Sequence, residues 1–378
     1  MALSWNVKSA GVLLLSSAAS YVSLIFIPVY AKDALGATAF EVGVIVGFFN
    51  FTYLLSSYVL GRWADMHGRR LVLLTGLIAS AGATLAQLVA NDSLTLALSR
   101  GLVGFAGGAY PAALLTYAQE RNEKMGKFSS YGSLGWGVGS LVAGFLGIYW
   151  QIFAFSALLF FAGFLLALLM PFGEEKVVSV PRFPFAILKK NLPIYAAMLI
   201  RHTGANVAWV LFTPYMKDSL RFDFIQIGAV YAINPIFQFV IMQMIDRFRS
   251  IPLVYFGLVF SALGFLTMGL AVDFPQMMLT QLLIGVSWAA LYVGSVKFVM
   301  ERNLERATAT GLLNSTIGVS SIAGPLIGGS LVTFSLAFGL APDLAYRTTF
   351  FTAAMMAVVA LAILPYINGK RTSEVSTS

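Results

Sequence analysis

The chain has 378 residues, 58% of them apolar, a mean hydropathy of +0.83 and only 11% charged residues. A soluble domain carries about 25% charged residues, so this chain cannot clothe a water-facing surface and is read as a polytopic membrane protein. Its net charge of +8 sits in short loops between apolar runs, a pattern of membrane topology and not a nucleic-acid-binding stripe. Cysteine is absent, which excludes disulfides and cysteine metal sites, and His67 and His202 alone leave little for histidine-rich metal binding.

The opening MALSWNVKSAGVLLLSSAAS has features of a signal peptide, with small residues where cleavage would fall. The apolar run continues to Ala31, however, which favours a first transmembrane helix. A bilayer core of about 30 Å needs about 20 apolar residues per helix. Windows of that length fall near 10–31, 42–60, 71–90, 94–118, 128–147, 150–171, 191–215, 224–245, 252–272, 275–299, 307–333 and 345–366. The fold class expected is therefore an all-α membrane protein with twelve transmembrane helices in two six-helix bundles. The longest polar connection, GEEKVVSVPRFPFAILKK, divides an N-terminal bundle at 1–172 from a C-terminal bundle at 191–378, with 173–190 as a cytoplasmic linker.

Seventeen of the 24 Lys and Arg fall on one set of loops and ends and four on the other. The remaining three, Arg100, Arg201 and Lys297, fall inside predicted helices. The excess places both termini and the linker in the cytoplasm of an inner or plasma membrane.

The two halves repeat. Lys32-Asp33-x-Leu35 before Gly43 returns as Lys217-Asp218-x-Leu220 before Gly228, an offset of 185. Asp65 pairs with Asp246, Gly104 with Gly285 and Glu120-Arg121-Asn122 with Glu301-Arg302-Asn303, all at an offset of 181. Six spans separate each pair, so the copies run in the same direction. Parallel repeats of this kind place a binding site at their interface near mid-membrane.

Between the second and third windows lies GRWADMHGRRL, Gly61–Leu71. Its Gly61, Ala64, Asp65, Gly68, Arg69 and Arg70 match the pattern Gly-x-Leu-Ala-Asp-Arg-x-Gly-Arg-Lys/Arg, with Trp63 and Met66 departing from it. This resembles the signature loop of the major facilitator superfamily of secondary transporters. Arg100 with Gly104 in helix 4 resembles that family's second motif, and the first half looks most like its drug and metabolite exporters. The resemblance implies that Asp65 caps helix 11 across the bundle interface when the protein is open to the outside. Arg69 or Arg70 would then pair with Glu120. Gly61, Asp65, Gly68, Arg69, Arg70 and Glu120 are thus the expected gating residues. Gly324-Pro325-Leu326-Ile327-Gly328-Gly329 resembles the exporters' antiporter motif, but it stands in helix 11, whereas that motif belongs to helix 5.

An arginine within a span is costly and marks a functional site. Arg201-His202 lies about mid-membrane in helix 7 and has no copy in the first half. His202, Asn206, Trp209 and Thr213 form one helical stripe. Further stripes are Asn50 and Tyr53 on helix 2, Tyr231, Asn234 and Gln238 on helix 8, Gln281, Trp288 and Tyr292 on helix 10, and Thr310, Asn314 and Ser321 on helix 11, with Trp136 on helix 5. Each alone reads as packing; together they suggest an amphipathic cavity. The expected substrate contacts are Arg201, His202, Asn206, Trp209, Arg100, Asn50, Tyr231, Asn234, Gln238, Trp288, Tyr292, Asn314 and Trp136.

No Asp or Glu falls near mid-membrane. Asp33 and His202 are the candidate proton carriers, although the repeat partner Asp218 gives Asp33 a structural reading as well. There is no Walker loop, nucleophile–base pair or metal spacing, so no enzyme and no cofactor is expected. The expected partners are a small-molecule substrate, a proton and the bilayer, with the chain a monomer. The expected function is proton-coupled efflux of an amphipathic, drug-like organic solute by alternating access. Organic-anion uptake or exchange through a cationic pocket is the alternative. A non-transporting receptor or lipid-handling scaffold is the reading of another class.

Overall fold

The structure is a computed structural model that describes residues 5–121, 125–172, 185–303 and 306–367. All regular elements among these residues are helical. The first bundle holds α1 (Trp5–Leu24), α2 (Ile27–Leu35), α3 (Ala39–His67), α4 (Arg69–Ala86), α5 (Ser93–Glu120), α6 (Met125–Leu146) and α7 (Tyr149–Leu168). A short helix, α8 (Phe185–Lys190), precedes the second bundle. That bundle holds α9 (Leu192–Trp209), α10 (Phe212–Asp218), α11 (Phe224–Met244), α12 (Ser250–Leu270), α13 (Phe274–Arg302), α14 (Arg306–Ala337) and α15 (Pro342–Ile363). Pairing α1 with α2 and α9 with α10 gives the twelve spans expected. Nine helical stretches among the described residues are long and apolar enough to cross a membrane by themselves.

Two spans are broken, which continuous hydropathy windows did not reveal. The breaks fall after Leu24 and after Trp209, and the offset of 185 carries one onto the other. Pro28 opens α2 and Pro214 lies in the first turn of α10. Neither has an N–H to give, and each ring crowds the carbonyl four residues back. The Ile25 carbonyl, at the first break, accepts a 2.7 Å hydrogen bond from the Thr213 hydroxyl at the second.

Helix starts repeat too. Thr38 and Glu41 form a capping box on α3, and Asp223 and Gln226, 185 residues on, form one on α11. Asp92 accepts from the Thr95 N–H at 2.7 Å, and Asp273, 181 residues on, accepts from the Gln276 N–H at 2.9 Å. The Thr95 backbone and hydroxyl donors hold the Asp92 carboxyl below its ordinary range. All four caps lie at one end of the molecule, the end where α2 and α10 stop.

The Gly61–Leu71 stretch is not the loop its composition suggests. Helix α3 continues to His67 and α4 begins at Arg69, so Gly61 is helical and Gly68 alone makes the turn at φ 105°. That left-handed value is one only glycine adopts cheaply. The side chains of Asp65 and Glu120 lie outside the described residues.

The bundles meet through α3 on α14, α6 on α11 and α2 on α10. A Cβ at Gly43 would stand 2.5 Å from the Pro325 carbonyl oxygen, and one at Gly144 would stand 3.1 Å from the Gly228 Cα. These two approaches are copies of each other. At the α2–α10 end one apolar core runs through both bundles, joining Ile27, Val42 and Phe153 to Phe212, Ile227 and Phe350. Among the described residues, the core at the opposite end divides into one cluster around Leu73 and Phe160 and another around Tyr195 and Phe298. The described molecule is closed at the α2–α10 end.

Glycine also sets packing inside a bundle. A Cβ at Gly257 of α12 would sit 2.6 Å from the backbone nitrogen of Leu291 in α13, whereas one at Gly82 of α4 meets nothing within 4 Å. Gly257→Val should cost about 1–3 kcal/mol through overpacking. Gly82→Ala should gain about 0.5–1 kcal/mol from helix entropy. Melting temperatures in detergent should therefore move in opposite directions; a shift of the same sign in both variants would contradict this packing.

Candidate functional site

A cavity of about 390 Å³ lies between the bundles. That size falls within the range of about 300–1,000 Å³ for small-molecule sites. The first bundle lines it with Tyr21 of α1, Phe49 and Asn50 of α3, and Trp136 of α6. The second contributes Arg201, His202, Asn206 and Trp209 of α9, Tyr231, Asn234 and Gln238 of α11, Trp288 of α13 and Ser321 of α14. Tyr21 and Trp136 stack with centroids 4.5 Å apart and planes 22° apart. His202 lies against Trp288 at 4.9 Å. No Asp or Glu is among the described residues that line it.

Arg201 is the cavity's fixed charge, and its side chain is 2% exposed. Its Nε donates to Ser261 at 2.7 Å and its Nη2 to Ser287 at 3.2 Å. Its guanidinium carbon stands 5.3 Å from the Trp288 ring centre and 5.6 Å from that of Phe265. Neutral hydroxyls and ring faces thus surround a full positive charge, with no carboxylate among its described partners. Gln238 donates to Asn234 at 2.5 Å, and Asn234 to Gln281 at 3.2 Å, which ties α11 to α13. Asn50 and Asn206 spend their amide N–H on the carbonyls of Val46 and His202, each at 2.9 Å.

Arg100, Tyr292 and Asn314, expected at the substrate, do not line the cavity. Arg100 sits behind Phe49, 4.1 Å from its ring centre, and donates to Gln87 at 3.3 Å. Tyr292 stacks on Trp288 at 5.4 Å and donates to Asn314 at 3.4 Å, next to the cavity but outside its wall. Lys297 reaches the Phe248 carbonyl at 2.7 Å. Tyr21 and Phe49 line the cavity without having been expected. The repeat held a signal for Tyr21, since the offset of 185 carries it onto Asn206. The same offset carries Phe49 onto Asn234, so it held the same signal.

The expected gating residues are only partly in view. Arg69 is buried, and the Arg70 guanidinium lies 5.7 Å from the Phe172 ring centre. Asp33, expected as a proton carrier, is not in the cavity. It pairs with Lys217 at the α2–α10 end, and Lys32 pairs with Asp218. Lys32 also donates to the Tyr346 hydroxyl at 3.0 Å, and that hydroxyl donates to Asp218 at 3.3 Å. Both ion pairs cross between the bundles, and each is the other's copy.

Two repeated six-helix bundles around a central cavity, tied across one end, define a secondary transporter. The chain belongs to the Major Facilitator Superfamily, whose family model matches residues 10–195 and again 194–377. It is 22% identical over 327 residues to quinolone resistance protein NorA of Staphylococcus aureus, covering 81% of this chain and 84% of that one. It is 26% identical over 328 residues to the class B tetracycline resistance protein of Escherichia coli, covering 78% and 79%. The crystal structure of nucleoside transporter NupG superposes with a TM-score of 0.79 at 15% identity, covering 97% of this chain and 99% of that one. The chain is therefore a multi-pass membrane transporter of the drug and metabolite type.

The ion pairs permit a test that conserves composition. Exchanging Lys32 with Asp33 within one bundle (K32D and D33K together) should set Asp against Asp218 and Lys against Lys217. Repeating the exchange at 217 and 218 restores both attractions. Partly exposed pairs are worth about 0–1 kcal/mol each, so turning two attractions into repulsions should shift the closed population by about ten-fold. Labelling of a Val46→Cys reporter in this cysteine-free chain by an impermeant maleimide added only on the α2–α10 side should rise in the double variant and return in the quadruple one. Labelling that stays raised in the quadruple variant would refute the pairing.

Proposed function

We propose that the chain exports a small amphipathic organic solute by alternating access, in exchange for protons, with the aromatic cavity as its binding site. The observation that carries this reading is the cavity's place between repeated bundles whose apolar cores join at one end and separate at the other. That is the geometry of a carrier with one gate shut. Export is supported by relatives named for quinolone and tetracycline resistance. The excess of Lys and Arg supports an external α2–α10 end, with the termini and the 173–190 connection in the cytoplasm. Lys32, Asp33, Lys217 and Asp218 then act as the external gate. The turn at Gly68 serves the internal one, with Gly61, Asp65, Arg69, Arg70 and Glu120 as its proposed residues. His202 takes the proton role, since imidazole is the one group among the described lining residues that ordinarily titrates near neutrality. A second reading, uptake or exchange of an organic anion, is favoured by Arg201.

Inverted vesicles containing the protein should accumulate a fluoroquinolone when energised, and a protonophore should collapse the gradient. Accumulation no greater than in vesicles lacking the protein would overturn export. Trp136→Ala, which removes the stacked wall from Tyr21, should raise KM about ten-fold, a loss of about 1.4 kcal/mol. An unchanged KM would remove that wall from the substrate site.

A further inference from the structure

The charge inventory of the cavity narrows what it can hold. Arg201 brings one full positive charge, and the described lining residues bring no carboxylate to balance it. Two of its nitrogens are held by Ser261 and Ser287, while Nη1 makes no hydrogen bond among the described residues. A buried guanidinium gains most from an ionised acceptor that matches its planar fork. Trp136 adds a second donor without an acceptor, because its Nε1 is buried and unpartnered in the opposite wall.

The aromatic wall does not reverse this preference. Ring faces attract cations, but the faces of Trp288 and Phe265 are already turned to Arg201 itself. A cationic solute would meet those rings with the guanidinium beside them, and repulsion between like charges in a low dielectric exceeds the pull of a ring quadrupole. The Tyr21–Trp136 stack offers a flat apolar surface from the other bundle. A planar ring can lie there while its charged edge faces α9.

We infer that the substrate of this cavity is an aromatic carboxylate, its carboxylate seated on Arg201 and its ring against the Tyr21–Trp136 stack. The inference rests on the cavity being the transport site and goes beyond that reading by fixing the sign of the substrate's charge. It also gives Arg201 its missing counter-charge when the solute is bound. The seat joins the two bundles, since Arg201 belongs to the second and the stack to the first.

Three probes of one shape separate the possibilities: 2-naphthoate, 2-naphthamide and 2-naphthylmethylammonium. Each is titrated calorimetrically into the full-length protein in nanodiscs. The carboxylate should bind at least ten-fold more tightly than the amide, and the ammonium more weakly still. In R201Q the carboxylate should fall to the level of the amide, and in R201K part of the preference should remain. Ser261 and Ser287 also bond each other directly, a contact between α12 and α13 that does not run through the arginine. If R201Q does not fold, the wild-type series alone decides the matter. Equal affinities for the three probes, tighter binding of the ammonium, or saturable binding of none would overturn the inference. Flux of the same probes into proteoliposomes is read separately. Transport without charge preference refutes the carboxylate seat and leaves the transporter reading intact, whereas no flux of any solute refutes the transporter reading itself.

Discussion

The Lys-Asp dipeptide at the end of α2 meets its own copy at the end of α10, and the closed end of the molecule is built around that meeting. Parallel repeats are related by an axis along the membrane normal. Any group placed near that axis faces its counterpart, as in a two-fold dimer where one patch serves both partners. One cation beside one anion is the smallest motif that complements itself under such an operation. Lys32 therefore finds Asp218 and Lys217 finds Asp33. The same operation pairs Gly43 against Pro325 with Gly228 against Gly144. The four acid-or-hydroxyl caps at this end follow it as well.

The contacts differ in weight. The four charged side chains are 30–39% exposed, and ion pairs in that setting contribute about 0–1 kcal/mol each. Closure rests more on the apolar core that continues across the bundles and on backbones brought together at glycine. Two pairs of that strength would set register and bias a population by roughly ten-fold without locking it. A carrier needs that balance, because a gate worth several kcal/mol more would hold one state at the expense of the cycle.

Much of this was legible in the chain. Length, hydropathy and two constant offsets gave twelve spans, two bundles and a parallel repeat. Stripes at helical spacing carried Asn234, Gln238, Trp209 and Trp288 to the cavity wall. Depth within a helix was readable, but facing was not. Arg100 and Arg201 both lie inside spans, yet one sits behind Phe49 and the other borders the cavity. One-dimensional spacing cannot separate those cases, because neighbouring helices decide which face is covered. Asp33 looked like a carboxylate in search of a proton, since its partner lies 184 residues away on another bundle. The broken spans were hidden for a different reason. Hydropathy averages over a window and does not register a missing N–H, so only Pro28 and Pro214 marked them.

Those breaks link the cavity to the closed end. Ile25, Pro28 and Val210 line the cavity, and α2 and α10 run from there to the four charges. The Thr213 hydroxyl bridges the Ile25 carbonyl at 2.7 Å and the Tyr231 hydroxyl at 2.9 Å. One side chain of the second bundle thus satisfies a carbonyl that the first bundle's own helix leaves free. Separating the bundles at this level exposes that carbonyl, and an unmade hydrogen bond in an apolar setting is costly. Opening the end therefore requires water or solute to reach Ile25 as the ion pairs part. If the ion pairs act as the proposed gate, wetting of the cavity and its release would be one event, because the Ile25 carbonyl is a polar group that is costly to leave alone in the membrane.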